Sequence, residues 1–123
     1  MKTHESAENY LETILILYKR KGSVRSIDIV HELGYSKPSV SVAMKNLREQ
    51  NMISVGSGGL ISLTEQGLAV ASSMYERHNL LSDWLIEMGV NRETAAEDAC
   101  RIEHVISAES FEALRAHKEK YKN

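Results

Sequence analysis

The sequence lacks several features that would assign it to a specialised class of protein. Its single cysteine among 123 residues cannot form an internal disulfide, which excludes a disulfide framework. No apolar run approaches the roughly 20 residues needed to cross a bilayer, and the start "MKTHESAENY" lacks the apolar core of a secretory signal. The chain is too short for a large multi-domain enzyme. We therefore expect a cytoplasmic protein without a membrane segment, built as one domain or as two small lobes.

An overall positive charge is also lacking, since the formal net charge is −2. The two halves of the chain differ, however. Residues 1–60 carry 8 Lys and Arg against 6 Asp and Glu, whereas residues 61–123 carry 7 against 11. A mildly basic first half is compatible with nucleic-acid contact, and an acidic second half is compatible with cation binding.

The first half of the chain has the pattern of a helix-turn-helix. Apolar residues at helical spacing in "HESAENYLETILILYKRKG" predict a first helix that ends at Gly22. Ser26 is predicted to cap a short second helix, which Gly34 ends with a left-handed turn. Ser36 is predicted to cap a third helix, with Pro38 in its first turn, where a missing N–H costs nothing. Two short helices around a glycine turn form a helix-turn-helix.

A hairpin and three further helices are predicted after the helix-turn-helix. Two short apolar runs, Ile53–Val55 and Leu60–Leu63, are joined by a tip of glycine and serine, which is typical of a hairpin. A hairpin directly after a recognition helix is the wing of a winged helix. Thr64, Asn91 and Ser107 are predicted to open the three remaining helices. The predicted fold is therefore mainly α with a small β-hairpin: a winged helix-turn-helix followed by an α-helical lobe.

The third helix carries the polar residues that would contact DNA. A helix of this size fits the major groove, and its lysine and arginine side chains can reach phosphates. Any one of these residues is about as easily explained as a solvated helix position. As a set, placed between a glycine turn and a wing, they favour contact with the groove. The expected DNA-binding residues are Ser36, Lys37, Pro38, Ser39, Ser41, Lys45 and Arg48.

The stretch "DACRIEHVIS" contains the only cysteine together with two other ligand-type residues. On a helix, Cys100, Glu103 and His104 lie on one face, and a thiolate, a carboxylate and an imidazole suit first-row divalent metals. The usual burial of cysteine favours the alternative, a small buried residue beside a surface Glu-His pair. Glu12 and His78 border apolar stripes, where an unpaired polar group would be costly, and they favour the metal hypothesis.

Taken together, the motifs resemble the diphtheria-toxin-repressor and manganese-transport-regulator family of metal-dependent bacterial transcription repressors. The resemblance is carried by "ENYLETI", "SKPSVSVAMKNL", "LTEQG", "RHNLL" and "DACRIEHVIS", which extend over nearly the whole chain. It implies a winged-helix DNA-binding domain at residues 1–70 and a helical metal-binding and dimerisation domain at residues 71–123. The SH3-like third domain of longer members is not expected. The implied function is a homodimeric repressor that binds a palindromic, double-stranded operator when metal is bound.

The resemblance also implies six metal ligands, which are Asn9, Glu12, His78, Cys100, Glu103 and His104. At Asn9 the sequence departs from both branches of the family, because the iron type has Met there and the manganese type has Asp. Ser82 and Ala96 occupy two ligand positions of the family's ancillary iron-type site, so the sequence lacks two ligands of that second site. The expected activating metal is Fe(II) or Mn(II), with Fe(II) slightly favoured by the thiolate. Co(II), Zn(II) or Ni(II) are expected to substitute in vitro.

Two other functions remain open at this point. A metal-independent winged-helix regulator is one alternative, because Asn9 weakens the ligand set while the fold would persist. An enzyme is the other, because "C-x-x-E-H" resembles the inverted zinc-protease motif H-x-x-E-H with cysteine in the first ligand position. The enzyme hypothesis leaves the winged helix unexplained. Metal analysis of the purified protein, with DNA binding measured with and without chelator, separates the three.

Overall fold

The computed structural model describes residues 5–121. Residues 1–4 of the predicted first domain and residues 122–123 of the predicted second domain therefore lie outside the described residues. The chain divides into two compact units, one up to Ser73 and the other from Met74 on. Within residues 5–121, six α-helices and one two-stranded antiparallel hairpin form the regular structure. None of the helices in this range combines the length and the apolar character that a membrane span requires.

The helices and strands follow the predicted order. The helix-turn-helix and wing consist of α1 (Glu5–Lys21), α2 (Ser26–Leu33), α3 (Lys37–Glu49), β1 (Ile53–Val55) and β2 (Ile61–Leu63). The remaining helices are α4 (Glu65–Glu87), α5 (Arg92–Val105) and α6 (Ala108–Lys120). The unit boundary falls within α4, so the first turns of this helix belong to the first unit and the rest to the second. This architecture confirms the mainly α fold with a small β-hairpin.

Side-chain caps begin four of the helices at the predicted positions. The side chains of Ser36, Thr64, Asn91 and Ser107 each accept a backbone N–H from the first turn of the following helix at 2.8–3.2 Å. Each bond satisfies a donor that has no partner inside the helix and stabilises the helix by about 1 kcal/mol. These caps depend on adjacent residues only, which explains why the sequence predicts them.

The cap of α2 lies one residue before the predicted Ser26. Arg25 is the N-cap residue, and its backbone N–H donates to the carboxylate of Asp28 at 2.8 Å. The ammonium group of Lys21 also bonds this carboxylate, and the two donors, Lys21 first, lower the pKa of Asp28. A carboxylate forms a stronger hydrogen bond than the neutral Ser26 hydroxyl, which explains why the cap lies at Arg25 and not at Ser26. The bonds of Asp28 with Lys21 and Arg25 stabilise the fold at pH values above the ordinary carboxyl pKa. This contribution is lost as the pH falls through the lowered pKa of Asp28.

The wing is bonded to the segment that precedes α2. The backbone N–H of Ile61 donates to the carbonyl of Val24 at 2.8 Å, and Val24 is fully buried. Nε of Arg25 donates to the carbonyl of Gly58 at the wing tip at 2.9 Å. Backbone and side-chain bonds therefore attach both the strand and the tip of the wing to the helix-turn-helix.

The core of the first unit consists of apolar side chains from its helices, from both strands and from the connecting segments. Among its deeply buried members are Leu11, Ile14, Val24, Ile29, Val40, Leu47 and Ile53. The helical spacing of α4 predicts Leu68 as a further core residue, but its side chain is 45% exposed. It lies beside a surface groove of about 540 Å³ that α1 and β2 also line. The preceding residue, Gly67, makes the close contact instead.

Gly67 is required for the contact between α4 and the chain before β1. A Cβ at Gly67 would lie 1.9 Å from the carbonyl oxygen of Met52. This contact involves backbone atoms, so a larger residue forces the helix to move. We expect Gly67→Ala to lower the free energy of unfolding by about 3 kcal/mol, the upper part of the range for overpacking. Urea unfolding followed by circular dichroism measures the change.

The matched control is Gln66→Ala, at the exposed neighbouring position in the same helical turn. This substitution should change stability by less than about 0.5 kcal/mol. Equal unfolding midpoints for wild type and Gly67→Ala would contradict the close packing of α4 on Met52.

Candidate functional site

One turn of α5 places three ligand-type side chains together. The thiol of Cys100, the carboxylate of Glu103 and the imidazole of His104 each offer one ligand atom, and these atoms all lie within 4.8 Å of one another. His78, from α4, contacts the same carboxylate. Sulfur, oxygen and nitrogen donors at this separation can bind one divalent ion. We call His78, Cys100, Glu103 and His104 the Glu103 centre.

The carboxylate of Glu103 is fully buried, with 0% of the residue exposed. Its Oε1 lies 3.0 Å from Nδ1 of His78, whereas the buried Oε2 has no hydrogen-bond partner within residues 5–121. Burying an ionised carboxylate costs several kcal/mol unless a cation or hydrogen bonds compensate. The arrangement therefore leaves an acceptor oxygen in a position where a positive charge would stabilise it, and the donor set fits a transition metal.

His78 lies on α4 with its side chain 27% exposed. When Nδ1 carries the proton of the bond to Glu103, Nε2 retains its lone pair and can bind a cation. A carboxylate bonded to one ring nitrogen is the usual way in which proteins orient a metal-binding histidine. The His78–Glu103 pair thus has the chemistry of a metal centre as well as that of an ordinary buried ion pair.

Cys100 and His104 differ in exposure from the simplest sequence expectation. Cys100 is exposed, which contradicts the interpretation of this residue as a small buried hydrophobic side chain. The neighbouring Ala99 is the buried small residue instead. His104 is half-buried. Because α5 turns Ala99 towards the core, Cys100 is the member of the Glu103 centre that is exposed to solvent.

Asn9 and Glu12, the two expected ligands from α1, belong to the first unit. Glu12 is buried, with 5% of the residue exposed. Asn9 is half-buried, and its backbone carbonyl accepts the hydroxyl of Thr13 at 2.8 Å. The structure brings four of the six expected ligands together in the second unit. The metal-binding roles of all six residues stay predictions.

Arg77 is a residue of this site that the sequence analysis does not identify. Its Nη1 donates to the backbone carbonyl of Glu103 at 3.1 Å and to that of Ile106 at 2.9 Å. An arginine within a helix is ordinarily a solvated residue. Only the packing of α4 against α5 shows this contact, and no sequence spacing links residues so far apart.

The expected DNA-binding residues all lie on the surface of the first unit. Each of the seven side chains is exposed, as contact with a groove requires, and they are Ser36, Lys37, Pro38, Ser39, Ser41, Lys45 and Arg48. The hydroxyls of Ser36 and Ser39 bond each other at 2.9 Å while Ser36 also caps α3. These two serines therefore have a structural role at the start of α3 in addition to the proposed DNA contact.

Val42 is a further exposed residue of α3 that the sequence analysis leaves out. Its side chain is 60% exposed. Helical spacing contains the signal, because placing Val40, Met44 and Leu47 in the core turns Val42 outwards. An apolar side chain on this surface can contact the methyl group of thymine in the major groove.

Comparison with known proteins gives two family matches and several relatives. The iron dependent repressor N-terminal DNA binding domain matches residues 2–56, and the iron dependent repressor metal binding and dimerisation domain matches residues 64–122. The transcriptional regulator MntR of Escherichia coli O6:H1 is 32% identical over 117 residues, which cover 95% of this chain and 76% of that protein. An uncharacterised HTH-type transcriptional regulator of Methanocaldococcus jannaschii is 29% identical over 121 residues, 97% of each chain.

Solved structures give the same result. The manganese regulator SloR matches with a TM-score of 0.81 and 26% identity, over 99% of this chain and 56% of that chain. A manganese-dependent transcriptional repressor in complex with manganese matches with a TM-score of 0.81 and 26% identity, over 90% of this chain and 51% of that one. These relatives are transcriptional regulators, which confirms the prediction of a regulator and not the alternative of an enzyme. The chain therefore belongs to the diphtheria-toxin-repressor and manganese-transport-regulator family of metal-dependent transcriptional repressors.

Proposed function

We propose that the protein is a homodimeric repressor that binds palindromic operator DNA when Fe(II) or Mn(II) is bound at the Glu103 centre. The observation that supports this most directly is the buried carboxylate of Glu103, one oxygen of which has no hydrogen-bond partner within the described chain. A purely structural role would be served as well by an apolar residue of similar volume, without the cost of burying the charge. A cation-binding role accounts for the carboxylate.

The proposed ligands divide the chemistry among them. A bound divalent ion would supply the positive charge that the buried carboxylate requires. Glu103 offers Oε2, His78 keeps its ring oriented through Nδ1, and His104 and Cys100 offer nitrogen and sulfur from the same face of α5. Asn9 and Glu12 complete the proposed ligand set, as the family resemblance implies.

Ligation by Glu12 would link metal occupancy to DNA binding. Glu12 lies on α1, and α1 packs against both α2 and the recognition helix α3 within the first unit. If Glu12 binds the metal, metal binding favours one position of α1. Because α3 packs against α1, that position of α1 also determines how α3 is presented to DNA. In a twofold dimer the two copies of α3 then contact two half-sites, which explains why we propose a palindromic operator.

Cys100 bears on the choice between iron and manganese. The relatives named above include manganese regulators. A thiolate is a soft ligand that suits Fe(II), Co(II) and Zn(II) better than Mn(II), whereas carboxylates suit Mn(II). We propose that both Fe(II) and Mn(II) activate the repressor and that the thiolate of Cys100 shifts the relative affinity towards Fe(II).

Glu103→Gln tests the proposed metal role of the carboxylate. The amide keeps the shape and removes the buried charge, so the metal-free variant should be at least as stable as the wild type. Mn(II) affinity should fall about 100-fold or more, because a charged ligand is lost. Metal should stabilise the wild type by about 2.7 kcal/mol at 100 times its Kd, and the variant much less. Calorimetric titration and thermal unfolding measure both quantities.

Glu97→Gln is the matched control, since Glu97 is an exposed carboxylate on the same helix. It should leave metal affinity and metal-induced stabilisation unchanged. A metal-free Glu103→Gln protein that is strongly destabilised, together with native Mn(II) affinity, would show that the carboxylate is structural and would contradict the proposal.

Cys100→Ala tests the thiolate. We expect Fe(II) and Co(II) affinity to fall about 10-fold or more and Mn(II) affinity to fall less, because only the soft ligand is removed. The Co(II) complex of the wild type should show an intense sulfur-to-metal charge-transfer band in the near ultraviolet that the variant lacks. Absence of this band in the wild type, with equal affinities in both proteins, would leave an oxygen and nitrogen centre without Cys100.

Ser41→Glu and Lys45→Ala test the recognition helix. Both residues are exposed on α3. The new carboxylate of Ser41→Glu would face negatively charged DNA and should abolish operator binding. Lys45→Ala should weaken binding to all sequences alike and reduce the salt slope of the affinity by about 1. Fluorescence anisotropy with an operator selected from random sequence, in the presence of Mn(II), measures both.

Ser72→Glu is the charge-matched control, because Ser72 is exposed on α4 and outside the recognition helix. It should bind the operator as the wild type does. Native operator affinity in Ser41→Glu would show that α3 is not the helix that contacts the bases.

A further inference from the structure

Two consecutive residues of α4 bond the two ends of the same ligand residue. His78 bonds the carboxylate of Glu103 through Nδ1 at 3.0 Å, and Arg77 bonds its backbone carbonyl through Nη1 at 3.1 Å. The side chain of Glu103 is thus oriented by His78, and its main chain is fixed by Arg77. Neither bond substitutes for the other, because they act on opposite ends of the residue.

The carbonyl of Glu103 needs a partner from outside its own helix. α5 ends at Val105, so its last carbonyls have no intrahelical N–H to accept. The carbonyl of Ile102 accepts the N–H of Ile106 at 2.9 Å, whereas those of Glu103 and Ile106 accept Nη1 of Arg77. A positive guanidinium at the negative end of the helix dipole is favourable as well. Arg77 therefore caps the C-terminus of the helix that carries three of the proposed ligands.

The guanidinium of Arg77 is itself held in place. Its Cζ lies 5.4 Å from the centre of the Phe111 ring, and Phe111 is buried with 3% exposure. Nε of Arg77 is buried and has no hydrogen-bond partner in the described part of the chain. The buried ring of α6 thus restricts the orientation of the guanidinium, while its outer nitrogen bonds α5.

We propose that Arg77 is a positioning residue of the metal centre, which acts by fixing the main chain of Glu103 so that its carboxylate meets the metal in the orientation set by His78. This inference rests on the proposed metal binding at the Glu103 centre. Without the capping bonds the last turn of α5 frays, and both Glu103 and His104 lie in that turn. Metal binding must then order this turn first, which lowers the affinity.

Arg115 provides a matched control within the same unit. Its Cζ lies 5.1 Å from the same Phe111 ring, and its Nε is also buried without a hydrogen-bond partner in residues 5–121. Its ion pairs are with the side chains of Glu76 and Glu112. Removing the guanidinium of Arg115 therefore removes a contact with Phe111 but leaves the bonds between Arg77 and the carbonyl of Glu103 in place.

The experiment compares Arg77→Met with Arg115→Met, because methionine keeps an apolar stem against Phe111 and removes every donor. In the metal-free proteins, hydrogen exchange is measured at the amides of the last turn of α5. We expect exchange there to be about 10-fold faster in Arg77→Met than in Arg115→Met, since only the former loses the cap. Calorimetric titration with Mn(II) should show an affinity about 10-fold or more below wild type in Arg77→Met and within about 2-fold in Arg115→Met.

Arg77→Lys should recover part of the Mn(II) affinity, because an ammonium can still donate to the carbonyl of Glu103. If Arg77→Met does not fold, Arg77→Lys replaces it in the comparison with Arg115→Met. Equal exchange and equal Mn(II) affinity in the two methionine variants would overturn the positioning role. Faster exchange in Arg77→Met alone, with no Mn(II) binding by the wild type, would retain the cap and overturn the proposed function instead. Wild-type binding with native affinity in Arg77→Met would overturn this inference and leave the proposed function intact.

Discussion

The buried carboxylate of Glu103 is the constraint on which the second unit depends. It is removed from water, one oxygen bonds His78, and the other has no hydrogen-bond partner among the residues that the structure describes. Such a group lowers the stability of the metal-free fold, because a buried charge needs compensation. The surrounding contacts keep it in position despite this cost: Arg77 bonds its main chain, and Phe111 packs against Arg77. In the proposed metal-bound state a cation at this carboxylate would relieve the unfavourable burial, and part of the metal affinity would come from that relief.

The first unit is organised around the exposed side of α3. The Ser36 cap and the left-handed Gly34 fix where this helix begins, and a bond from Arg25 to Gly58 attaches the wing beside it. These contacts involve only the start of α3 and the wing, so the exposed side chains of Ser41, Lys45 and Arg48 remain free for the proposed contact with DNA. Coupling between metal and DNA is reciprocal, so any gain in DNA affinity on metal binding requires an equal gain in metal affinity on DNA binding.

Local chemistry explains what could be predicted from the sequence. The caps at Ser36 and Asn91 and the glycine turn at Gly34 depend on adjacent residues, and helical spacing placed Cys100, Glu103 and His104 on one face. These determinants act within a few residues, which is why the order of helices and strands agrees with the prediction.

The features that differed from prediction depend on packing between segments distant in sequence. Leu68 is exposed because Gly67 takes the close contact with Met52, and Cys100 is exposed because Ala99 occupies the core side of α5. The bond from Arg77 to the carbonyl of Glu103 depends on the position of α5, which begins well after Arg77 in the chain. The most direct test of the account is a complete thermodynamic cycle for the wild type, with operator affinity measured with and without Mn(II) and Mn(II) affinity measured with and without operator. We predict that metal raises operator affinity at least about 10-fold, equivalent to about 1.4 kcal/mol, and that operator raises metal affinity by the same factor. Equal operator affinity in Mn(II) and in chelator would contradict metal-dependent repression.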